Sequence, residues 1–318
     1  MNRLFCLVFL LILTTSCENE VKEELPLHNK RVLILGNSIT QHGHYVDFIE
    51  YFLRKEYPKD SLDIISIGLS GETISGTSEG GREFPRPCLH NRLDRALNKI
   101  NPDLVLACYG MNDGNYQPMD SLRFEAYKNG ILELKSKVEQ RHAQLIILTP
   151  TVFDADPIQN RVSKDDEIHT YWNPYYDYNN VLNTYSNWLL SLENESLKVI
   201  NLHHHLDSIL KNIKQIKADS TFIPDGVHPN KRGHYYIAQK VLKDLYPNLK
   251  LKNHKPEIEL LEQDTLYKLI SKRRDLRSEG WRNYIGYTKG KTVKSDDISV
   301  TITKVSELDS IIRNHQNN

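Results

Sequence analysis

Five short apolar runs alternate with helix-patterned segments between residues 30 and 246, and this alternation restricts the fold more than any other feature of the chain. The runs are Arg31–Gly36, Leu62–Gly68, Asp103–Gly110, Ala143–Pro150 and Leu197–Leu202. Apolar residues that are continuous, and not alternating with polar ones, suit strands covered on both faces. Between the runs the apolar residues recur at helical spacing, as at Tyr45, Phe48, Ile49 and Phe52, where Pro58 ends the helix. The same holds for Asn91–Ile100, for Leu122–Arg141, for the stretch from Val181 to Leu192, and for Ile237 to Leu245. A short helix is expected at His203–Leu210. Strands and helices of these lengths in this order predict an α/β fold: a mainly parallel, doubly wound, five-stranded sheet with helices on both faces.

In such a sheet, active sites gather outside the carboxyl ends of the strands. The first run ends in Gly36-Asn-Ser38, which places Ser38 at the head of a helix. Serine is a favoured N-cap, and capping alone would explain it there. A nucleophile in the same place would lie beside the partial positive charge of the helix. The other loops on that edge favour the second reading, because together they hold what acyl transfer to serine needs: a base, an acid to orient it, and donors for the tetrahedral oxyanion. His228 is the candidate base and Asp225, three residues earlier, its orienter. The candidate donors are the backbone N–H groups of Ser38 and Gly71 and the side-chain amide of Asn112. A further loop, Thr151–Asn173, is polar and longer than an ordinary connection, so it is either a functional lid or a surface insertion.

Four blocks, Gly36-Asn-Ser-Ile39, Ser70-Gly-Glu-Thr73, Gly110-Met-Asn-Asp113 and Asp225-Gly-Val-His228, occur in this order. The set resembles the SGNH/GDSL hydrolase family over about residues 30–246. The resemblance implies a flavodoxin-like sheet and hydrolysis of esters with no metal or organic cofactor. Two positions depart from the family pattern. Asn37 stands for the aspartate of Gly-Asp-Ser-Leu, which is not one of the catalytic groups, and Ser66 stands where many members have asparagine before the oxyanion glycine. The Gly-x-Ser-x-Gly elbow of α/β-hydrolases is excluded by Thr40.

Composition narrows the partners. With 41 basic and 41 acidic residues in 318 and no block of like charge, nothing marks a nucleic-acid partner. Met1–Ser16 reads as a signal peptide, with Arg3 ahead of an apolar run from Leu4 to Leu13 that is too short to span a bilayer. Leu13-Thr-Thr-Ser-Cys17 resembles a bacterial lipobox in which Cys17 is lipidated. Thr14 departs from the usual aliphatic residue, which leaves simple secretion as the alternative. Of the remaining cysteines in the folded body, Cys88 and Cys108, the second lies in an apolar run and reads as a buried free thiol, although an exported compartment permits one bond between them. Adjacent His203, His204 and His205 invite a metal, but neighbouring side chains diverge and no ligand spacing completes a site. His42 and His44 either line the pocket or lie on the helix surface. The stretch Lys272-Arg-Arg-Asp-Leu-Arg277 either meets an acidic sugar or forms a solvated helix face.

The expected organisation is therefore a signal peptide over 1–17, a tether over 18–29, a hydrolase domain over 30–248 and an α+β extension over 249–318. That extension carries a helix at Ile258–Leu276 and a strand at Ile298–Val305. The expected activity is that of an exported, lipid-anchored serine esterase removing a short acyl group, acetyl above all, from carbohydrate. The membrane would be met only through the anchor. A lipase, lysophospholipase or thioesterase on the same fold would need a long apolar groove. A non-catalytic glycan-binding protein is the remaining alternative, because fold does not fix function.

Overall fold

The computed structural model describes residues 25–163, 169–249, 258–287 and 294–317. The expected signal peptide, Cys17 and residues 18–24 of the tether lie outside the described residues. The five apolar runs form β1 (Arg31–Gly36), β2 (Asp63–Ser66), β3 (Leu104–Cys108), β4 (Gln144–Leu148) and β5 (Leu197–Ile200), all parallel, in the order β2-β1-β3-β4-β5. Ile34 pairs with Ser66 on one side and Leu106 on the other. The chain goes from β1 outward to β2, then returns past β1 to β3, so the winding reverses between β1 and β3. A crevice opens at the carboxyl end of such a reversal.

Successive strand residues point to opposite faces, and here each face has its own core. Val32 and Ile34 belong to one, Leu33 and Leu35 to the other, and all four are at most 2 % exposed. That two-sided burial is why the strands read as continuous apolar runs. One face is covered by α1 (Ser38–His42), α2 (His44–Glu56), α6 (Leu202–Ile216), α7 (Lys231–Leu245) and α9 (Thr265–Ile285); the other by α3 (His90–Ile100), α4 (Ser121–Glu139) and α5 (Tyr178–Leu190). The helices α8 (Ile258–Gln263) and α10 (Ser299–Asn317) complete the described chain.

Several expectations need correction. The first helix is two: Gly43, at φ 70°, breaks it between α1 and α2, and a Cβ there would lie 2.6 Å from Arg274 Nη1. The helix expected at His203–Leu210 runs on to Ile216. The strand expected at Ile298–Val305 is instead part of α10, where Val305, Leu308 and Ile312 are buried at helical spacing. Thr301, Ile302 and Thr303 are locally strand-like, but the longer 3.6-residue period decides the matter. Among the described residues the extension is therefore helical, not α+β. Leu27 and His28, expected in the tether, are buried, with the Leu27 N–H and His28 Nδ1 both 2.9 Å from the Tyr246 hydroxyl.

In the basic stretch of α9, Lys272 faces solvent, but Arg273 and Arg274 meet neither solvent nor the cleft described below. Arg273 and Arg274 are 2 % and 3 % exposed. Arg274 donates to both oxygens of Asp47 at 2.7 and 2.8 Å, while Arg273 donates to Glu50 at 3.2 Å and to Asp309 at 2.5 Å. The two carboxylates on α2 are themselves fully buried, so α9 is tied to α2 by desolvated charge as well as by the apolar contact of Tyr267 with Phe48.

Cys88 and Cys108 are free thiols, and burial pushes the Cys108 thiol up to about 12. No helix among the described residues is long and apolar enough to cross a membrane.

Candidate active site

Ser38 opens α1 directly after β1, and its neighbour settles which residue caps the helix. Asn37 Oδ1 accepts from the Ile39 N–H at 3.0 Å. Asparagine is as good an N-cap as serine, so the Ser38 hydroxyl is left for other work. Gly36 lets the strand end approach the helix closely, since a Cβ there would meet Thr40 Oγ1 at 2.1 Å.

The hydroxyl of Ser38 lies 2.8 Å from His228 Nε2, and His228 Nδ1 lies 2.7 Å from Asp225 Oδ2. A carboxylate only accepts, so Nδ1 carries the proton and Nε2 is the lone pair that faces Ser38. The other Asp225 oxygen accepts from the backbone N–H of Val227 at 3.0 Å and of His228 at 2.7 Å. Burial opposes the charge of Asp225, but the His228 ring and these two N–H groups outweigh it and hold the carboxyl at about 2. Gly226, at φ 83°, allows the turn that folds Asp225 and His228 onto each other. Asn230 then caps α7 by accepting from the Gly233 N–H at 3.2 Å.

Gly71, at φ 75°, sits on the loop after β2, and Asn112 on the loop after β3. The Gly71 N–H finds no acceptor among the described residues. Asn112 Nδ2 donates to the Glu72 carbonyl at 3.0 Å, and its Oδ1 accepts from the Tyr116 hydroxyl at 2.9 Å. One amide N–H thus remains for a ligand. Ser38, Gly71, Asn112 and His228 all line one open cleft of about 630 Å³. Its further walls are the loop around Arg82, Phe84 and Arg86, and Thr170, Tyr171 and Trp172 from the long loop after β4. Thr170, Tyr171 and Trp172 of that long loop are therefore a cleft wall, with the Tyr171 ring 6.4 Å from that of His228.

Other side chains hold the loops, two of them, Glu72 and Asp113, from within the sequence blocks themselves. Asp113, fully buried, accepts from the N–H groups of Ile74, Ser75 and Gly110 at 2.8, 2.9 and 2.9 Å, tying the loop after β3 to the loop after β2. Glu72 is gripped by Arg92 through bonds of 2.6 and 2.7 Å and by the Tyr109 hydroxyl at 2.7 Å. Glu79 and Arg86 form a second buried pair at the cleft. Ser66 is buried and its hydroxyl makes no hydrogen bond, so the loop that follows is anchored elsewhere. Its anchors are the Leu69 N–H on the Gly36 carbonyl at 2.9 Å and the Ser70 N–H on Gln41 Oε1 at 2.6 Å.

His42 is exposed, with its ring 5.5 Å from that of His228. His44 turns instead toward His234. His203 is buried beside the Thr151 carbonyl, and burial lowers its imidazole to about 4. His204 lies between Asn201 and Asn183. No group of three or more histidine, cysteine, aspartate or glutamate side chains among the described residues is placed to hold a metal ion.

Comparison with known proteins agrees with this architecture. Residues 34–236 match the model of the GDSL-like lipase/acylhydrolase family. No curated protein matches the chain. Among solved structures, a gut microbial diltiazem-metabolizing enzyme superimposes with a TM-score of 0.54 at 18% identity, covering 68% of this chain and 46% of its own. The chain thus spans about half of that enzyme's length. The acetylxylan esterase Axe2 of Geobacillus stearothermophilus superimposes with a TM-score of 0.51 at 18% identity, covering 69% of this chain and 94% of its own. A second acetyl xylan esterase, AlAXEase, gives 0.50 at 21% identity, with 67% and 98% covered. At these identities the superpositions speak for the fold.

Proposed function

Because the chain belongs to the GDSL-like lipase/acylhydrolase family and is a carboxylic ester hydrolase, we propose that it is an exported serine esterase that removes short acyl groups, acetyl above all, from carbohydrate. The observation that carries this reading is the continuous chain of hydrogen bonds from Ser38 through His228 to Asp225 inside the open cleft. In the proposed mechanism His228 Nε2 takes the Ser38 proton as Oγ attacks the ester carbonyl, and Asp225 steadies the imidazolium that forms. The N–H groups of Ser38 and Gly71 and the free amide N–H of Asn112 meet the oxyanion. His228 then returns the proton to the leaving sugar hydroxyl, and a water repeats the sequence on the acyl-enzyme. No cofactor takes part.

The cleft wall supports a sugar ester over a long-chain one. Phe84, Tyr171 and Trp172 offer rings, Arg82, Glu79 and Ser70 offer polar atoms, and no leucine, isoleucine or valine lines the cleft among the described residues. An aromatic ring beside hydrogen-bonding groups suits the face of a sugar. The neighbouring fold of two proteins named as acetylxylan esterases points the same way. Export, by lipid anchor at Cys17 or by simple secretion, rests on residues 1–17.

The test is Ser38→Ala. It is expected to abolish hydrolysis of 4-nitrophenyl acetate and of acetylated oligosaccharide, and to remove the only site labelled by a fluorophosphonate, with the fold intact by circular dichroism. Labelling that persists at another serine would overturn the assignment. Release of fatty acid from lysophospholipid would transfer the substrate class to lipids.

A further inference from the structure

The proposed oxyanion donors Gly71 and Asn112 lie on separate loops, and a single buried guanidinium touches what supports each. Arg86 is 6 % exposed. Its Nη1 donates to the Gly71 carbonyl at 3.3 Å. Its Cζ lies 5.4 Å from the centroid of the Tyr116 ring, and the Tyr116 hydroxyl is the group that donates to Asn112 Oδ1. Glu79, 4 % exposed, fixes the guanidinium from the far side by accepting from Nε at 2.6 Å and from Nη2 at 2.5 Å.

We propose that Arg86 is a positioning residue for the oxyanion hole, setting the Gly71 peptide through its carbonyl and the Asn112 amide through Tyr116. The proposal rests on the ester-hydrolysis reading above. Glycine at positive φ has more backbone freedom than any other residue, so the direction of its N–H must be fixed from outside. Gln41 holds the peptide before it, at the Ser70 N–H, and Arg86 holds the carbonyl after it. An oxyanion donor works only if it is already aimed at the place where charge develops. A fork of five N–H donors can meet Glu79 and Gly71 while its flat face covers Tyr116, whereas an ammonium cannot. The paired carboxylate neutralises the guanidinium, so its effect comes through placement and not through net charge at the oxyanion.

The experiment measures kcat, KM and the rate of Ser38 phosphonylation by a fluorophosphonate in Arg86→Ala, Arg86→Lys, Glu79→Gln and Tyr116→Phe, with 4-nitrophenyl acetate as substrate. Loss of one preorganised donor commonly costs about 10²–10³ in kcat. Arg86→Ala is expected to fall in that range with KM little changed, and phosphonylation should slow in parallel because the phosphoryl oxygen uses the same donors. Arg86→Lys should recover only a minor part. Tyr116→Phe keeps the ring and removes one hydroxyl, and it should lower kcat about tenfold, the equivalent of one hydrogen bond; it keeps the linkage testable where Arg86→Ala does not fold. Three results would each overturn the proposal: a raised KM with kcat unchanged, full rescue by lysine, or a higher kcat in Glu79→Gln, which would mean that charge and not placement matters. Failure of the parent reading looks different. The unaltered protein would then neither hydrolyse the acetate nor label at Ser38, and the proposal would fall with it.

Discussion

Asp225→Asn isolates the step on which the proposed chemistry depends, because the structure dictates how the new amide must lie. In the native site one carboxylate oxygen accepts two backbone N–H groups, from Val227 and His228, and the other accepts from His228 Nδ1. An asparagine can serve the two backbone donors only with its oxygen, so its NH₂ is turned toward His228. Two donors cannot face each other, and Nδ1 must give up its proton. The proton then resides on Nε2, 2.8 Å from the Ser38 hydroxyl, where the lone pair needed for general-base catalysis has been lost. In the serine protease triad this exchange lowers kcat by about 10⁴, a barrier increase of about 5.4 kcal/mol. A loss of that order is expected here for 4-nitrophenyl acetate near neutral pH, with KM little affected and the fold unchanged. Nitrogen-15 NMR of the variant should show the His228 proton on Nε2. Activity within tenfold of the native protein, or a His228 proton still on Nδ1, would refute the reasoning.

Stability should depend on Asp225 in a defined pH window: its carboxyl is held at about 2 against an ordinary 3.8, so its contribution is present above 3.8 and is lost as pH falls toward 2. Unfolding midpoints of the native protein and Asp225→Asn are expected to converge there, and a gap unchanged at pH 2 would contradict the assignment. Asp47→Asn, which leaves the buried Arg274 guanidinium only the exposed Asp275, or Arg274→Met, which leaves Asp47 only His44 and Ser271, should cost up to about 3–5 kcal/mol in urea unfolding, while the joint Asp47→Leu and Arg274→Met change should cost less than either. Additive costs would mean that the pair does not act as a unit. Trp172, 72 % exposed at the cleft rim, should matter only for an extended substrate. Trp172→Ala is expected to lower kcat/KM about two- to tenfold for acetylated oligosaccharide and to leave 4-nitrophenyl acetate unaffected; an equal loss on both would remove it from sugar binding.

The sheet was legible in the sequence because burial on both faces leaves an unbroken apolar run, and the expected runs coincide with β1 to β5. Ser38 was legible from its place at the end of the first apolar run, Asp225 and His228 from their three-residue spacing, and all three from four blocks in one order; the structure brings them within hydrogen-bond distance. Asn112 lies on the loop after β3, where its block leads one to expect it, yet nothing in the sequence marks the groups around it. Tyr116 is an unremarked tyrosine four residues on, and Arg86 sits in a stretch of Gly, Pro and charged residues with no periodicity. That stretch is irregular as secondary structure but is built around the Glu79–Arg86 pair. The burial of Arg273 and Arg274 was hidden for a different reason. Their partners on α2 are 223 and 227 residues away, and an arginine-rich helix face gives no local sign that carboxylates wait opposite.

Those long-range pairs also bear on where the folded unit ends. The patterning changes near residue 249, and a boundary there is the natural reading of the sequence. Yet α9 supplies the guanidinium that grips Asp47 and one of the two that meet Glu50, the other being Arg54 of α2 itself; both carboxylates are fully buried, and a buried carboxylate stripped of its partner is costly enough to unseat the helix that carries it. Helix α2 is in turn joined to the Ser38 helix through Gly43, whose turn lies against the Arg274 guanidinium, and through the Thr40 and Tyr45 hydroxyls 3.1 Å apart. Arg282, about two turns further along α9, reaches the Gly68 carbonyl at 3.4 Å, at the root of the Gly71 loop. The helix after the apparent boundary therefore braces two of the loops from which the proposed site is made. It is thus expected to unfold together with the helix that carries the nucleophile.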